Sequence, residues 1–254
     1  MVLSTNPLST PALILASSSP YRRELLERLR IPFSVDVPDI DETPRPGEAP
    51  NQLALRLAIE KAQTVAARHP GCIVIGADQA ASLHGMPIGK PGSVQAAREQ
   101  LQKLSGQSVV FHSAMAVVQD GYLQSIDVPT TCLFRTLSEL AIDRYIQIDQ
   151  PLDTAGSAKA ECLGIALMQS MQSDDPTSII GLPLIALTGM LTQCGLDPIA
   201  LVRRVGLPIK CLSDPDMKVE ARAVGKLLEI AAKEANEPAF GLRMAESRQL
   251  SNLG

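Results

Sequence analysis

The chain contains no tryptophan and few aromatic residues of any kind, with three Tyr and four Phe among 254 residues. A surface that stacks nucleic-acid bases needs more aromatic faces than that. An excess of positive charge is also missing: 23 Lys and Arg stand against 27 Asp and Glu, a formal net charge of −4. Binders of the phosphate backbone are normally basic, which argues against polymeric DNA or RNA as the principal ligand and leaves room for a compact basic site for one small anion. The five cysteines, Cys72, Cys132, Cys162, Cys194 and Cys211, include no CxxC pair, and His69, His84 and His112 form no ligand cluster with them. Reduced thiols in a cytosolic protein fit this odd, scattered set better than a disulfide framework, and a zinc site is disfavoured. No apolar run approaches the roughly 18 residues of a membrane span. The N-terminal stretch has no basic n-region, and its apolar part, Ala12 to Ala16, is too short for a secretion signal. These absences predict a soluble, cytoplasmic protein that engages neither a membrane nor a nucleic-acid polymer.

What is present is a well-supplied core, 45% hydrophobic against 20% charged. At roughly 150 residues per domain, the length suits one large domain or one and a half ordinary ones. The run ALILAS after Pro11 reads as a buried strand, broken by Ser-Ser-Ser-Pro. Ser19 then serves as N-cap and Pro20 as first residue of a helix with Leu25, Leu26 and Leu29 on one face. Phe33–Val37 reads as a second strand, 44–50 as a loop and 51–68 as an amphipathic helix. Cys72–Asp78 reads as a central strand with Asp78 at its C-terminal end, followed by a helix over Ser93–Leu104. Asp120-Gly121 marks the turn of a hairpin between Val109–Val118 and Tyr122–Phe134. A helix capped by Ser138, a Gly-containing loop leading to another strand, and an apolar helix from Pro183 to Gln193 complete this part. Strands alternating with helices, then a hairpin, predict an α/β class with a mixed sheet.

Three groups of residues could carry chemistry. Ser17-Ser18-Ser19-Pro20-Tyr21-Arg22-Arg23 brings hydroxyls, free backbone N–H groups and two guanidinium groups to a strand-to-helix turn, as a polyphosphate requires. The ordinary alternative is an N-cap with solvated arginines. Asp78, in Gly76-Ala77-Asp78-Gln79, sits at a strand end, where a carboxylate can hold a divalent cation or orient a water; it could equally cap the next turn. Glu42, Lys61, Lys90 and Lys159 form the third group; each alone reads as a surface charge, and Lys90, between Gly89 and Pro91, is the best placed to meet a phosphate.

Taken in order, LILASSSPYRRELLERL, DETPR, LRLAIEKAQ, GADQ, IGKPGS, AREQLQKLSGQ, FRTLSELAIDRYI, PLDTAGSAKAE and IIGLPLIAL resemble the Maf family of nucleoside-triphosphate pyrophosphatases. The resemblance runs from about Ala12 to Asp197. It implies cleavage between the α- and β-phosphates to a nucleoside monophosphate and pyrophosphate, with a divalent cation, Mg²⁺ or Mn²⁺, as cofactor. It also implies a mixed, bent β-sheet flanked by helices around a deep nucleotide cleft, often in a homodimer. Position by position, Asp78 matches the family's proposed proton acceptor, and Ser17 and Arg22 match its phosphate-binding residues. Glu42, Lys61 and Lys90 match its polar cleft residues, with Lys159 in the later lysine-bearing loop. The metal is expected on Asp78 and Glu42. Tyr21, Gln79 and Glu161 fall where the family tunes base specificity, and their aromatic–Gln–Glu set resembles the branch acting on 7-methyl-GTP. Physical chemistry agrees: a cationic methylated guanine suits an aromatic face and a carboxylate on its Watson–Crick edge.

After Gly195 the pattern changes to helical periodicity alone, over 197–205, 219–236 and 238–248. The Gly195-Leu196-Asp197-Pro198 start, the Asp214-Pro215-Asp216 turn and the run Pro238-Ala239-Phe240-Gly241-Leu242-Arg243 resemble the opening of the ligand-binding domain of AraC-type transcription regulators, without that family's DNA-reading part. The expected division is therefore 1–197 for the pyrophosphatase-like domain and 198–254 for an all-helical extension. Three functions are open at this stage: a pyrophosphatase, a nucleotide-binding regulator of division, and a fragment of a transcription regulator.

Overall fold

A computed structural model describes residues 11–196, together with Arg222 in helical conformation. Apart from Arg222, the helices expected at 197–205, 219–236 and 238–248 lie outside the described residues.

The elements run β1 (Leu13–Ala16), α1 (Pro20–Glu27), β2 (Phe33–Val35), α2 (Pro50–Ala66), β3 (Ile73–Leu83), β4 (Met86–Ile88), α3 (Val94–Leu104), β5 (Ser108–Gln119), β6 (Tyr122–Phe134), α4 (Glu139–Asp149), β7 (Met168–Gln172) and α5 (Leu184–Gln193). They form one mixed sheet in the order β2-β1-β3-β5-β6-β7, with β4 added to β3. β1 pairs parallel with β2 and β3, and the remaining pairings are antiparallel. The α/β class with a mixed sheet is as the sequence predicts. The β5–β6 hairpin turns on Asp120 and Gly121, both at positive φ (44° and 87°), as a tight two-residue turn demands.

Strand alternation sends successive residues to opposite faces. On one face Leu13, Leu15, Ile73, Ile75 and Ala77 pack against α1 and α5. Farther along the same face, Ala81, Val109, Phe111, Cys132 and Phe134 pack against α3 and α4. The other face carries Ile14, Ala16, Val74, Ala80, Ala114 and Ala116 against Ala54, Ala58, Ala62 and Val65 of α2. Small residues line both sides of this second contact. Gly76 is obligatory there, since a Cβ would lie 2.2 Å from the Ala58 carbonyl oxygen and 2.6 Å from the Ala62 nitrogen.

Two local expectations are corrected. The second strand ends at Val35, short of Val37. The central strand does not stop at Asp78: it continues to Leu83, because β5 pairs with it over its whole far half and β4 returns along its end. His84 and Gly85, at φ 52° and 79°, make that unanticipated β3–β4 turn.

Candidate active site

Asp78 is mid-strand in β3 and lies just beyond the point where the neighbouring β1 stops. β1 pairs with β3 only as far as Ala16 opposite Gly76, and β4 joins only from Ala81 opposite Ile88. Between these points no strand among the described residues covers that edge of β3. The crevice beyond the C-terminal end of a parallel strand is where α/β sheets bind ligands. Ser17, buried, continues directly from β1 into this gap.

Asp78 shares its face with Val74 and Ala80 and so points toward α2. The close approach at Gly76 brings Lys61 down onto it. The buried Lys61 Nζ donates to Asp78 Oδ1 at 2.7 Å and pairs with Glu42 Oε1 at 2.7 Å. Among the described residues no side chain or backbone donor reaches the second oxygen, Oδ2. Desolvation alone would raise the Glu42 pKa, but the hydrogen bond and charge of Lys61, with the charges of Lys90 and Arg22, bring it below the usual value. Lys90 itself is exposed on the loop after β4.

Arg22 enters from α1. The Ser19 hydroxyl caps that helix by accepting from the Arg22 backbone N–H at 3.4 Å. The guanidinium donates through Nε to the Gly181 carbonyl at 3.0 Å and through Nη1 to Ser17 Oγ at 3.4 Å. Burial pulls its pKa below the usual value, with Asp78 and Glu42 pulling the other way. Gly181 has φ 111°, and its Cβ position is 3.4 Å from Arg22 Nε, so the turn and the arginine fit each other closely.

The second half of the site lies on the loop between α4 and β7. Lys159 Nζ pairs with Asp153 Oδ1 at 3.1 Å. Desolvation lowers the Lys159 pKa, but Asp153, helped by the neighbouring Tyr21, raises it overall. Glu161 stands close enough to feel Lys159; desolvation raises its carboxyl pKa, Lys159 opposing and Asp149 and Asp153 adding to it. The loop is tight around Lys159: a Cβ on Gly164 would lie 2.5 Å from the Lys159 carbonyl oxygen. The Tyr145 hydroxyl accepts from the Lys159 backbone N–H at 2.9 Å.

The fold thus gathers Ser17, Arg22, Asp78, Lys61, Glu42 and Lys90 at one end, and Tyr21, Lys159 and Glu161 at the other. Gln79 stands apart. Being next to Asp78 in a strand, it projects from the opposite face, where Nε2 donates to Ser113 Oγ (2.8 Å) and to the carbonyls of Ile179 (2.9 Å) and Ser178 (3.3 Å). Ser113, Thr130 and Ser178 are buried around it, a polar seam between the two apolar clusters of that face.

Several supporting residues carry no motif in the sequence. Arg56 binds Glu48 through Nε and Nη2 at 2.6 and 2.8 Å and donates to the Thr43 carbonyl at 3.2 Å, tying down the loop that carries Glu42. Asp175 is buried and accepts from the Thr177 N–H at 2.9 Å and from the Ile185 N–H at 2.6 Å, closing the start of α5. The Arg56–Glu60 spacing of four within a helix was the one visible signal.

The profile of the family described as Maf-like protein matches residues 12–194. The chain belongs to the Maf family. A Bordetella pertussis protein named 7-methyl-GTP pyrophosphatase is 63% identical over 193 residues, which span 76% of this chain and 97% of that protein. Proteins of the same name from Ralstonia nicotianae and Cupriavidus pinatubonensis are 57% and 53% identical, over 71% and 76% of this chain and 94% and 97% of their own lengths. Residues 195–254 match a different profile, the N-terminal arabinose-binding domain of AraC transcription regulators. Among the described residues no helix is long and apolar enough to cross a membrane.

Proposed function

We propose that this Maf protein hydrolyses a nucleoside triphosphate between its α- and β-phosphates, releasing pyrophosphate, and that 7-methyl-GTP is its substrate. The observation that carries the reading is the Glu42–Lys61–Asp78 chain, facing Arg22 at the uncovered edge of β3. The name shared by relatives of this identity supports the choice of nucleotide.

In this reading Lys61 holds Asp78 by Oδ1 and leaves Oδ2 to accept a proton from the attacking water. Arg22, Lys61 and Lys90 neutralise the phosphates, and Ser17 holds Arg22 toward them. Phosphoryl chemistry depends mainly on charge compensation and in-line placement, which these fixed groups supply. The donor set also fits a divalent cation of the Mg²⁺ kind. Such an ion takes one or two carboxylates and completes its shell with water and substrate phosphates, so Asp78 and Glu42 would hold it through the oxygens that Lys61 does not occupy. When bound, it would supply further charge neutralisation at the phosphates.

Tyr21, Lys159 and Glu161 form the base end. A ring beside a carboxylate suits a methylated, cationic guanine. Gln79, on the opposite face of β3, acts on the site only through the 178–181 turn that its amide holds, whose Gly181 carbonyl accepts from Arg22. The chain is read as two units, 1–197 and 198–254.

The test is pyrophosphate release from 7-methyl-GTP, GTP, dTTP and UTP in parallel with Mg²⁺ or Mn²⁺. Selective turnover of 7-methyl-GTP is expected. Equal rates on all four, or none, would reject the substrate reading.

A further inference from the structure

Gln100 belongs to none of the groups above, yet its side-chain amide joins the two halves of the site. It lies on α3, whose Ala97, Leu101 and Leu104 are buried and whose first turn is capped by Ser93. Nε2 donates to the Gly89 carbonyl at 3.0 Å, one residue before Lys90. Oε1 accepts from the hydroxyl of Ser157, two residues before Lys159. A backbone bond from the Gly92 N–H to the Leu152 carbonyl, at 3.0 Å, joins the same two loops nearby.

The Ser157 end of this bridge is constrained. Ser157 is fully buried at φ 50°, a region non-glycine residues seldom occupy, and it follows Gly156 at φ 74°. A Cβ on Gly156 would lie 3.1 Å from the Phe111 ring. The loop is therefore pressed against the sheet in one conformation, with its hydroxyl turned to Gln100. A side-chain amide can donate to the carbonyl at one end and accept from the hydroxyl at the other, and so serves both partners.

We propose that Gln100 is a positioning residue that sets the separation between Lys90, at the phosphate end, and Lys159 with Glu161, at the base end. It touches no substrate. Its effect is to let one nucleotide be gripped at both ends at once, and it rests on the nucleotide reading given above. Pyrophosphate alone meets only the first loop, and 7-methylguanosine alone only the second, so neither fragment depends on the spacing.

The test compares wild type with Gln100→Met, which removes both hydrogen bonds at similar volume, and Gln100→Glu, which keeps the acceptor for Ser157 and loses the donor to Gly89. In Gln100→Met, kcat/KM for 7-methyl-GTP is expected to fall about tenfold. Inhibition by pyrophosphate and by 7-methylguanosine should stay within about twofold of wild type, since each fragment still meets an intact loop. Gln100→Glu should fall between the two. An unchanged kcat/KM in both variants would overturn the proposal. So would a parallel weakening of both fragments, which marks a general loss of structure. If wild type releases no pyrophosphate, the catalytic reading fails separately. Calorimetric binding of intact 7-methyl-GTP to the same variants then decides this proposal, equal affinities overturning it.

Discussion

Lys61 and Asp78 meet at 2.7 Å, and a glycine decides that they do. Gly76 lies two residues before Asp78 on the same face, and its missing Cβ lets α2 settle onto β3. The ammonium then satisfies one carboxylate oxygen and leaves the other available.

Asp78→Asn keeps the shape of that contact and removes the proton acceptor. Turnover of 7-methyl-GTP should fall by about 10²–10⁴-fold, while nucleotide binding remains measurable by calorimetry. Wild-type turnover in this variant would remove Asp78 from the chemistry.

Gly76→Ala places a methyl carbon 2.2 Å from the Ala58 oxygen, so helix or strand must shift. A loss of about 1–3 kcal/mol in stability is expected. Activity should fall as well, because the shift lifts Lys61 from Asp78. A thermal melt and a rate measurement on the same sample check both, and a variant as stable and active as wild type would contradict the packing argument.

Glu48 gives a pH dependence with a definite sign. The Arg56 hydrogen bond, and then the Arg45 N–H, hold its carboxyl at about 2, against 4.5 for the free side chain. A carboxylate with a depressed folded pKa stabilises the fold above its unfolded value, and the contribution fades as pH falls toward the folded one. Urea unfolding of wild type and Glu48→Gln should therefore differ most above pH 4.5 and converge by about pH 2. A gap that stays constant with pH would assign the difference to something other than ionisation.

Tyr21→Ala tests the base end. The contact of a cation with an aromatic face is worth about 0.5–2 kcal/mol, so preference for 7-methyl-GTP over GTP should drop roughly 2- to 30-fold in kcat/KM. An unchanged ratio would show that the ring does not read the base.

Much of this was legible in the chain. Ser19 as N-cap, Pro20 as first helical residue, the Asp120-Gly121 turn and Ser138 as cap all occupy the places their local chemistry predicts. Each is decided by interactions within a few residues. The length of β3 was not legible, because the residues after Asp78 extend the strand only by pairing with β5 and β4, which come later in the sequence. Gln79 shows the same limit. Its adjacency to Asp78 suggests a shared site, whereas strand alternation sends it to the other face and into the 178–181 turn.

The sequence by itself determined the class of the fold, the order of most elements and the residue types available for phosphate chemistry, since propensity, capping and periodicity act locally. The tertiary structure alone decided that β3 runs on past the end of β1, leaving its edge open at Asp78. It also decided that α2 lies close enough for Lys61 to bridge two carboxylates, and that Gln100 ties the Lys90 loop to the Lys159 loop. Those contacts join residues far apart in the chain, and their distances depend on how helices and strands pack, which no local pattern encodes.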